Sequence, residues 1–425
     1  MRSLTIYVVF AFFHVMLPKA YGQNQKAELG EAALYYSKAK EMLDNRQFDK
    51  FDSIIIYANK SSKIYRSFSR WDDYLDNLNI KIQVAIRQYN KEQITVLRDS
   101  FESIVGKYKV NTLKHSANMD YCIGLQNFLD SKFDESWLFF SKSLDKRLAL
   151  FGENRLEVVA CYINIGLLYE QKSNFEKALE YYNKSKAIAE KILNKESLLV
   201  AQIIQHLGCL YKAMMKYDKA MDLMTQSLNI KRRLIPEMNY EMAQTYNAIG
   251  LIYFDQSDFV NSLHYFNKAI NILTTIMDTD NVDMAIVYAN IGAVYKRQSL
   301  YPEALNFQNK ALEIRKRILG QSHIAVALSY NDIALIYDHL SDVDKALDYL
   351  NKSVEIKKTV LGERDLDVAN SYNNIGTIYN NKGDYDLALE YHNKSLNIRK
   401  EKLGEKHHSI AECYNNIGAV YLNKQ

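Results

Sequence analysis

The sequence predicts an all-α chain built as a series of antiparallel helix pairs, and three observations carry that expectation. Proline occurs only three times in 425 residues, too rarely for the turns of a sandwich or barrel. Gly124, Gly166, Gly208, Gly250, Gly292, Gly376 and Gly418 stand on a ladder of 42 residues whose one vacant rung holds Ala334. Between rungs, apolar residues recur three and four apart, the spacing of one helix face. With 48% apolar and 24% charged residues the composition is ordinary for a packed chain and excludes wholesale disorder.

The first element is residues 4–17, LTIYVVFAFFHVML, an apolar run that follows Arg2 and precedes Pro18, Lys19, Ala20, Tyr21 and Gly22. This is the pattern of a signal peptide, with cleavage expected after Gly22. At 14 residues the run is shorter than the roughly 20 that span a bilayer. An uncleaved anchor is the alternative. The mature chain is therefore expected to be exported, periplasmic or extracellular, with no membrane segment of its own. Loss of Arg2 and Lys19 lowers the formal charge from +4 to +2. So balanced a surface gives no ground for a nucleic-acid partner. Cys122, Cys161, Cys209 and Cys413 contain no CxxC pair and are expected as small buried residues rather than a disulfide framework.

Residues 23–110 are helical in pattern but off the ladder. Ala39, Phe48 and Ala58 keep the spacings of a degenerate repeat, and 71–110 reads as a further amphipathic pair. The segment is expected to be an atypical cap, because a terminal repeat must shield the end of a stacked array.

Residues 111–425 carry seven full repeats and a final first helix; we number the repeats 1 to 8 by their rungs, Gly124 to Gly418. In repeat 7, Val368, Tyr372, Ile375, Gly376 and Tyr379 form one face of a first helix, A. Gly383 is a natural left-handed terminator and Asp384 a cap for the second helix, B. Leu403-Gly404-Glu405 closes the repeat. Since Gly inside a helix costs about 1 kcal/mol relative to Ala, its recurrence implies a close neighbour over the bare backbone. Ala178, Ala220, Ala304, Ala346 and Ala388, twelve residues on, are the expected flat spots of helix B. The aromatics at nine, Phe133, Phe175, Tyr217, Phe259, Tyr301 and Tyr385, are expected to fill the space between.

Gly, Tyr three later, an aromatic at nine, Ala at twelve and Ala or Ser at nineteen resemble the tetratricopeptide repeat. The 42-residue period, with Leu-Gly-Glu or Leu-Gly-Gln closing repeats at 319–321, 361–363 and 403–405, is similar to the variant of kinesin light chains and many bacterial proteins. That resemblance implies a right-handed superhelical α-solenoid whose A helices line a concave groove for a protein or peptide segment. Three positions of helix A, at three before, one after and four after the rung, form one stripe apart from the core stripe. In these columns Gln205, Asn247, Asn331, Asn373 and Asn415 come before the rung, and Lys212, Lys296, Asp338 and Asn380 after it. An asparagine amide offers two donors and an acceptor, so it can pair with an extended backbone whatever its side chains. It can equally tie neighbouring repeats together. Lysine never occupies the position before the rung, which argues against the lysine-asparagine clamp of chaperone-binding relatives.

Catalysis is not expected. No two glycines lie closer than seven residues, which excludes both GxxxxGK and GxGxxG phosphate loops. No HExxH occurs, and no cofactor or metal is expected. His407 and His408 read as residues at a helix start whose rings point apart, and Cys413 shares the core phase of Cys161. Lys231-Arg232-Arg233, the longest basic run, reads as a solvated helix end. The sequons at Asn59, Asn183, Asn351 and Asn393 are explained as well by helix-surface repetition as by glycosylation. Twenty of the 32 tyrosines fall on core phases, which favours packing over ligand stacking.

The last element, carrying Ile410, Tyr414, Ile417 and Tyr421, is a helix A without a helix B. It is expected to stand uncovered, as a tolerant cap, as a docking face that includes self-association, or as the stub of a lost downstream part. The function expected is that of an exported protein-binding scaffold. The alternative is the sensory ectodomain of a bacterial signalling protein, a shortened relative of those that carry a kinase or DNA-binding module.

Overall fold

A computed structural model describes residues 23–44, 51–88, 91–108, 110, 112–130, 132–277, 280–405 and 407–424. The expected signal peptide and Phe48 lie outside the described residues. The chain divides into two compact parts, Met1–Cys122 and Ile123–Gln425, and each is described by itself. Among the described residues all regular structure is helical, and no helix is long and apolar enough to cross a membrane.

The first part contains α1 (Gln23–Asp44), α2 (Phe51–Ser67), α3 (Trp71–Arg87), α4 (Lys91–Tyr108) and the start of α5 (Thr112–Leu129). Ala39 and Ala58, both fully buried, pack with Leu43, Ile54, Ile80 and Val84 where α1, α2 and α3 meet. Asn77 of α3 donates to Ser61 Oγ at 3.1 Å, and Ser61 in turn donates to the carbonyl of Ala32 at 2.9 Å. This chain satisfies polar groups that burial would otherwise penalise. Trp71 and Tyr108 stack at 4.0 Å, so the start of α3 meets the end of α4.

The second part begins within α5 and continues through α6 (Phe133–Phe151), α7 (Leu156–Gln171), α8 (Phe175–Ile192), α9 (Leu198–Ala213), α10 (Tyr217–Leu234) and α11 (Tyr240–Asp255). It goes on through α12 (Phe259–Ile276), α13 (Val282–Arg297), α14 (Tyr301–Leu319), α15 (Ile324–His339), α16 (Val343–Leu361), α17 (Leu366–Lys382), α18 (Tyr385–Leu403) and α19 (His408–Asn423). Odd-numbered helices from α5 onward are the A helices of repeats 1 to 8. From α7 to α17 each A helix packs on the B helix that follows, and each B helix packs on the next A helix; α5 meets α6 where Ser136 Oγ donates to the Gly124 carbonyl at 2.8 Å.

The turn from A to B is the same in repeats 2 to 7. The residue seven after the rung has positive φ: Ser173, Met215, Ser257, Ser299, Ser341 and Gly383. The next amide returns to the carbonyl of the tyrosine at three, as Asn174 does to Tyr169 at 2.8 Å, which is a Schellman closure. Asn174, Asp258, Asp342 and Asp384 then cap helix B.

The close neighbour over each glycine is a side chain, sixteen residues on. A Cβ at Gly124, Gly166, Gly208, Gly250 or Gly376 would lie 2.6 to 2.9 Å from Phe140, Tyr182, Met224, Phe266 or His392. At Gly292 the neighbours are Gln308 and the Ala304 carbonyl. Where Ala334 supplies a real methyl, the facing residue is Leu350. The expected filling by the aromatics at nine is thus corrected: those are only half-buried, whereas the column at sixteen is sealed. The flat spots at twelve are confirmed, since Ala178, Ala220, Ala304, Ala346 and Ala388 are all fully buried.

On the flank of the pairs of repeats 2, 4, 5, 6 and 7, the tyrosine at three stacks with the aromatic at fifteen. Tyr169–Tyr181, Tyr253–Tyr265, Tyr295–Phe307, Tyr337–Tyr349 and Tyr379–Tyr391 are 5.5 to 5.7 Å apart. A lysine at eighteen lies over each ring at fifteen, from Lys184 to Lys394, at 4.5 to 5.5 Å.

Between repeats, a cation of helix B reaches into the next helix A. Arg147, Lys231, Arg315, Lys357 and Arg399 each meet a backbone carbonyl ten residues on and a small polar side chain fourteen on. Those small partners are Cys161, Thr245, Ser329, Ser371 and Cys413. The two junctions without a cation replace both members by apolar residues, Ala189 with Ile203 and Leu273 with Val287. Lys231 therefore corrects the solvated reading of the basic run: it is fully buried, while Arg232 meets Tyr246 and Arg233 meets Glu196.

At α19 the expectation of an uncovered helix holds in part. Tyr414 and Tyr421 are 52% and 56% exposed, and nothing lies within 4 Å of a Cβ at Gly418. Ile410, however, is buried with Leu396 and Cys413, because the previous helix B already covers that turn.

Candidate functional site

The face of each helix A that points away from its B helix is set by the same periodicity that builds the core. Apart from buried Ala289 and exposed Thr377, the stripe at three before, one after and four after the rung is half-buried along α9 to α17, and Asn415 of α19 is exposed. Its asparagines meet a residue 43 positions on rather than 42, one register step beyond the repeat. Asn247 Oδ1 accepts from Asn290 Nδ2 at 2.9 Å, Asn331 from Asn374 at 3.0 Å, and Asn373 from Asn416 at 2.9 Å. Asn380 accepts from Asn423 at 3.2 Å, and Lys212 pairs with Asp255 at 3.0 Å by the same step.

The stripe thus carries two rails of side-chain bonds between A helices, one before the rungs at repeats 4–5, 6–7 and 7–8, and a sparser one after them at repeats 3–4 and 7–8. Gln205 is not on a rail of this kind. Its Oε1 accepts from Lys231 at 2.7 Å and Thr245 at 2.8 Å, which ties it to the buried cation instead. Lys296 lies in the field of Asp332, and Asp338 is half-buried beside His339. The partners Asn290, Asn374, Asn416 and Asp255 were not singled out from the sequence. The dipeptides Asn373-Asn374 and Asn415-Asn416 were the available sign, since adjacent asparagines serve the two sides of one rail.

Charge along this face is shaped by burial. Desolvation raises the Glu170 carboxyl, opposed by the Tyr182 hydroxyl that donates to it at 2.8 Å and by Lys212. Desolvation also raises Asp332, against Lys296, Arg315 and Lys357. Burial pushes the Cys209 thiol up to about 12, leaving it a poor nucleophile at neutral pH. Cys161 is raised in the same way. Burial lowers His392, whose Nδ1 lies 3.1 Å from Asn373 Oδ1.

The remaining candidates take structural positions. Cys122, Cys161 and Cys413 are buried, Cys209 is partly so, and none of the four is in a disulfide. His407 caps α19 through Nδ1, as His323 caps α15. The rings of His407 and His408 lie together at 4.3 Å, which corrects the expectation that they point apart. Among the described residues no group of three His, Cys, Asp or Glu side chains is placed to hold a metal ion. Asn183, Asn351 and Asn393 are exposed, but the serines of their sequons are fully buried, and Ser353 donates to Ala327 O at 2.7 Å.

A family model described as tetratricopeptide repeat matches residues 115–191, 162–233, 241–317, 283–359 and 367–425, more than half of the chain. No curated protein matches it. Among solved structures, a Rap protein complexed with Competence and Sporulation Factor is 13% identical, covers 91% of this chain and 99% of its own, and superposes with a TM-score of 0.62. BtubC (BKLC) from P. vanneervenii is 22% identical over 49% of this chain and 84% of its own, with a TM-score of 0.44. A signal transduction ATPase with a tetratricopeptide repeat sensor, from Pyrococcus horikoshii, is 14% identical over 87% and 52%, with a TM-score of 0.49.

Proposed function

We propose, since the chain belongs to the tetratricopeptide repeat family, that it is an exported scaffold that holds an extended protein segment along the open face of its A helices. Repeats of this family serve protein–protein interaction, and the stacking of helix pairs creates the long binding surface they use. The observation that carries the finer reading is the rail of asparagines. In each pair, one amide gives one N–H to its neighbour's carbonyl oxygen. Among the described residues, the Nδ2 groups of Asn247, Asn331 and Asn373 make no bond, and nor do the Oδ1 atoms of Asn290, Asn374 and Asn416. Each pair therefore presents oriented donors beside an acceptor, the complement of a peptide unit. Fixing the side chains in advance reduces the ordering cost of binding.

The test uses substitution by aspartate, which keeps an Oδ acceptor for the rail, removes the outward donor and adds a negative charge in its place. Affinity capture from an envelope extract is to be compared between the parent and the triple variant Asn247→Asp, Asn331→Asp, Asn373→Asp, folded by circular dichroism. A partner held by the parent and lost by the variant supports the groove. Equal capture by both sinks it and turns attention to α19. Export rests on residues 4–22, and exported protein whose N-terminal sequence begins at Met1 instead of Gln23 would refute the cleavage.

A further inference from the structure

Among the described residues neither rail has a bond between repeats 5 and 6, and from repeat 4 to repeat 8 this is the one gap in the rail before the rungs. Before the rungs, the place of an accepting asparagine is taken by Ala289, and that of the donor by Asp332. The Ala289 carbonyl is used from below by Gln308 Nε2 at 3.1 Å, and Gln308 Oε1 is buried without a partner. After the rungs, Lys296 faces the step occupied by His339, where Lys212 has Asp255.

The column six before the rung changes at the same junction. It reads Ala160, Gln202, Gln244, Ile286, Leu328, Asn370 and Glu412, so aliphatic side chains longer than alanine occur in repeats 5 and 6 alone. Ile286 is 38% and Leu328 45% exposed, although they sit on helices whose core faces are sealed. The rail before the rungs resumes on either side, at Asn247–Asn290 and at Asn331–Asn374. The charges of the junction are of both signs, Lys296 and Arg297 with Asp332 and Asp338, and Asp332 also lies in the field of Arg315 and Lys357. No single sign selects a charged occupant, so the complement in charge is a neutral group.

We propose that this junction seats one uncharged aliphatic side chain of an extended partner segment, against Ile286 and Leu328, while the flanking rails hold its backbone. The inference rests on the groove reading above and gives it a specificity: backbone recognition along the rails, side-chain recognition at their gap.

The test is selection of a random dodecapeptide display library on the purified full chain, followed by anisotropy titration of synthetic peptides from the enriched set. The expected set shares one aliphatic position. Replacing that residue by Asn weakens binding at least tenfold to the parent, but less than twofold to the double variant Ile286→Asn, Leu328→Asn, which carries the residue repeat 7 has there. A charged residue selected at that position overturns the proposal, as does a double variant that discriminates the two peptides as the parent does. If the triple aspartate variant binds the enriched peptides unchanged, the groove reading fails instead. A library from which nothing is enriched overturns both. An unfolded variant would bind neither peptide, so the expected result also requires the Asn-bearing peptide to bind the double variant within twofold of its affinity for the parent.

Discussion

Lys231 Nζ lies 3.0 Å from Glu241 Oε2, with the lysine side chain sealed from solvent and the glutamate only 2% exposed. The ammonium also meets Gln205 Oε1, Thr245 Oγ1 and the Glu241 carbonyl, so the donors of the lysine are all engaged. Removing one member leaves a buried charge without compensation, at a cost of about 3–5 kcal/mol. Lys231→Met is expected to lower the urea midpoint by that measure, and Lys231→Met with Glu241→Leu to recover most of it. A single variant as stable as the parent would contradict the assignment.

Gly250 and Gly418 share a phase and differ in what faces them. A Cβ at Gly250 would lie 2.6 Å from the Phe266 ring, whereas nothing lies within 4 Å at Gly418. Gly250→Ala is expected to destabilise by about 1–3 kcal/mol through overpacking, and Gly250→Leu by more. Gly418→Ala should be neutral or stabilising by up to about 1 kcal/mol, because alanine favours the helix. Paired thermal melts check the difference in sign.

Met215 holds φ +58° at the left-handed turn of repeat 3 and is 76% exposed, so no packing repays its strain. Met215→Gly is expected to stabilise by about 1 kcal/mol. Gly362, at φ +94° and ψ 156°, occupies backbone space that is open essentially to glycine alone. Gly362→Ala is expected to cost about 1–3 kcal/mol in a denaturant titration.

His392 is buried beneath Gly376, and burial lowers its pKa from 6.5. The unfolded chain therefore takes up the proton first. Stability is full above about pH 6.5 and falls as pH drops below it. His392→Leu, the residue repeat 6 carries at this phase, should remove that part of the slope. Melting midpoints between pH 7 and pH 5 measure it, and equal slopes in both proteins would exclude His392 as the source.

The elements that the sequence made legible are those with a single physical cause. A helical glycine needs a neighbour, a left-handed turn favours Gly383, and Asp384 caps the helix after it; each was visible because few other residue types serve there. The column at sixteen was hidden because Phe140, Met224, Gln308 and His392 share burial but no chemistry. The cations at Arg147, Lys231 and Lys357 were hidden because such residues are rarely enclosed unless paired, and their partners lie in the next repeat. The rails were half legible. Asn247, Asn331 and Asn373 stood out, but their bonds run to the residue 43 on, and a reading in steps of 42 looks past it.

The pairing of residue types at each junction bears on how such an array can change length. Deleting one 42-residue segment joins a helix B to a helix A it has not met. Loss of the repeat bearing Gly250 would set Lys231 against Val287, an ammonium against a methyl-lined wall. Loss of the repeat bearing Gly208 would set Ala189 against Thr245 and leave Glu241 without its cation. By contrast, removing the repeat bearing Ala334 sets Arg315 against Ser371, one serine exchanged for another. Loss of a repeat is therefore expected to cost little at a seam whose new partners match and much where it strands a buried charge.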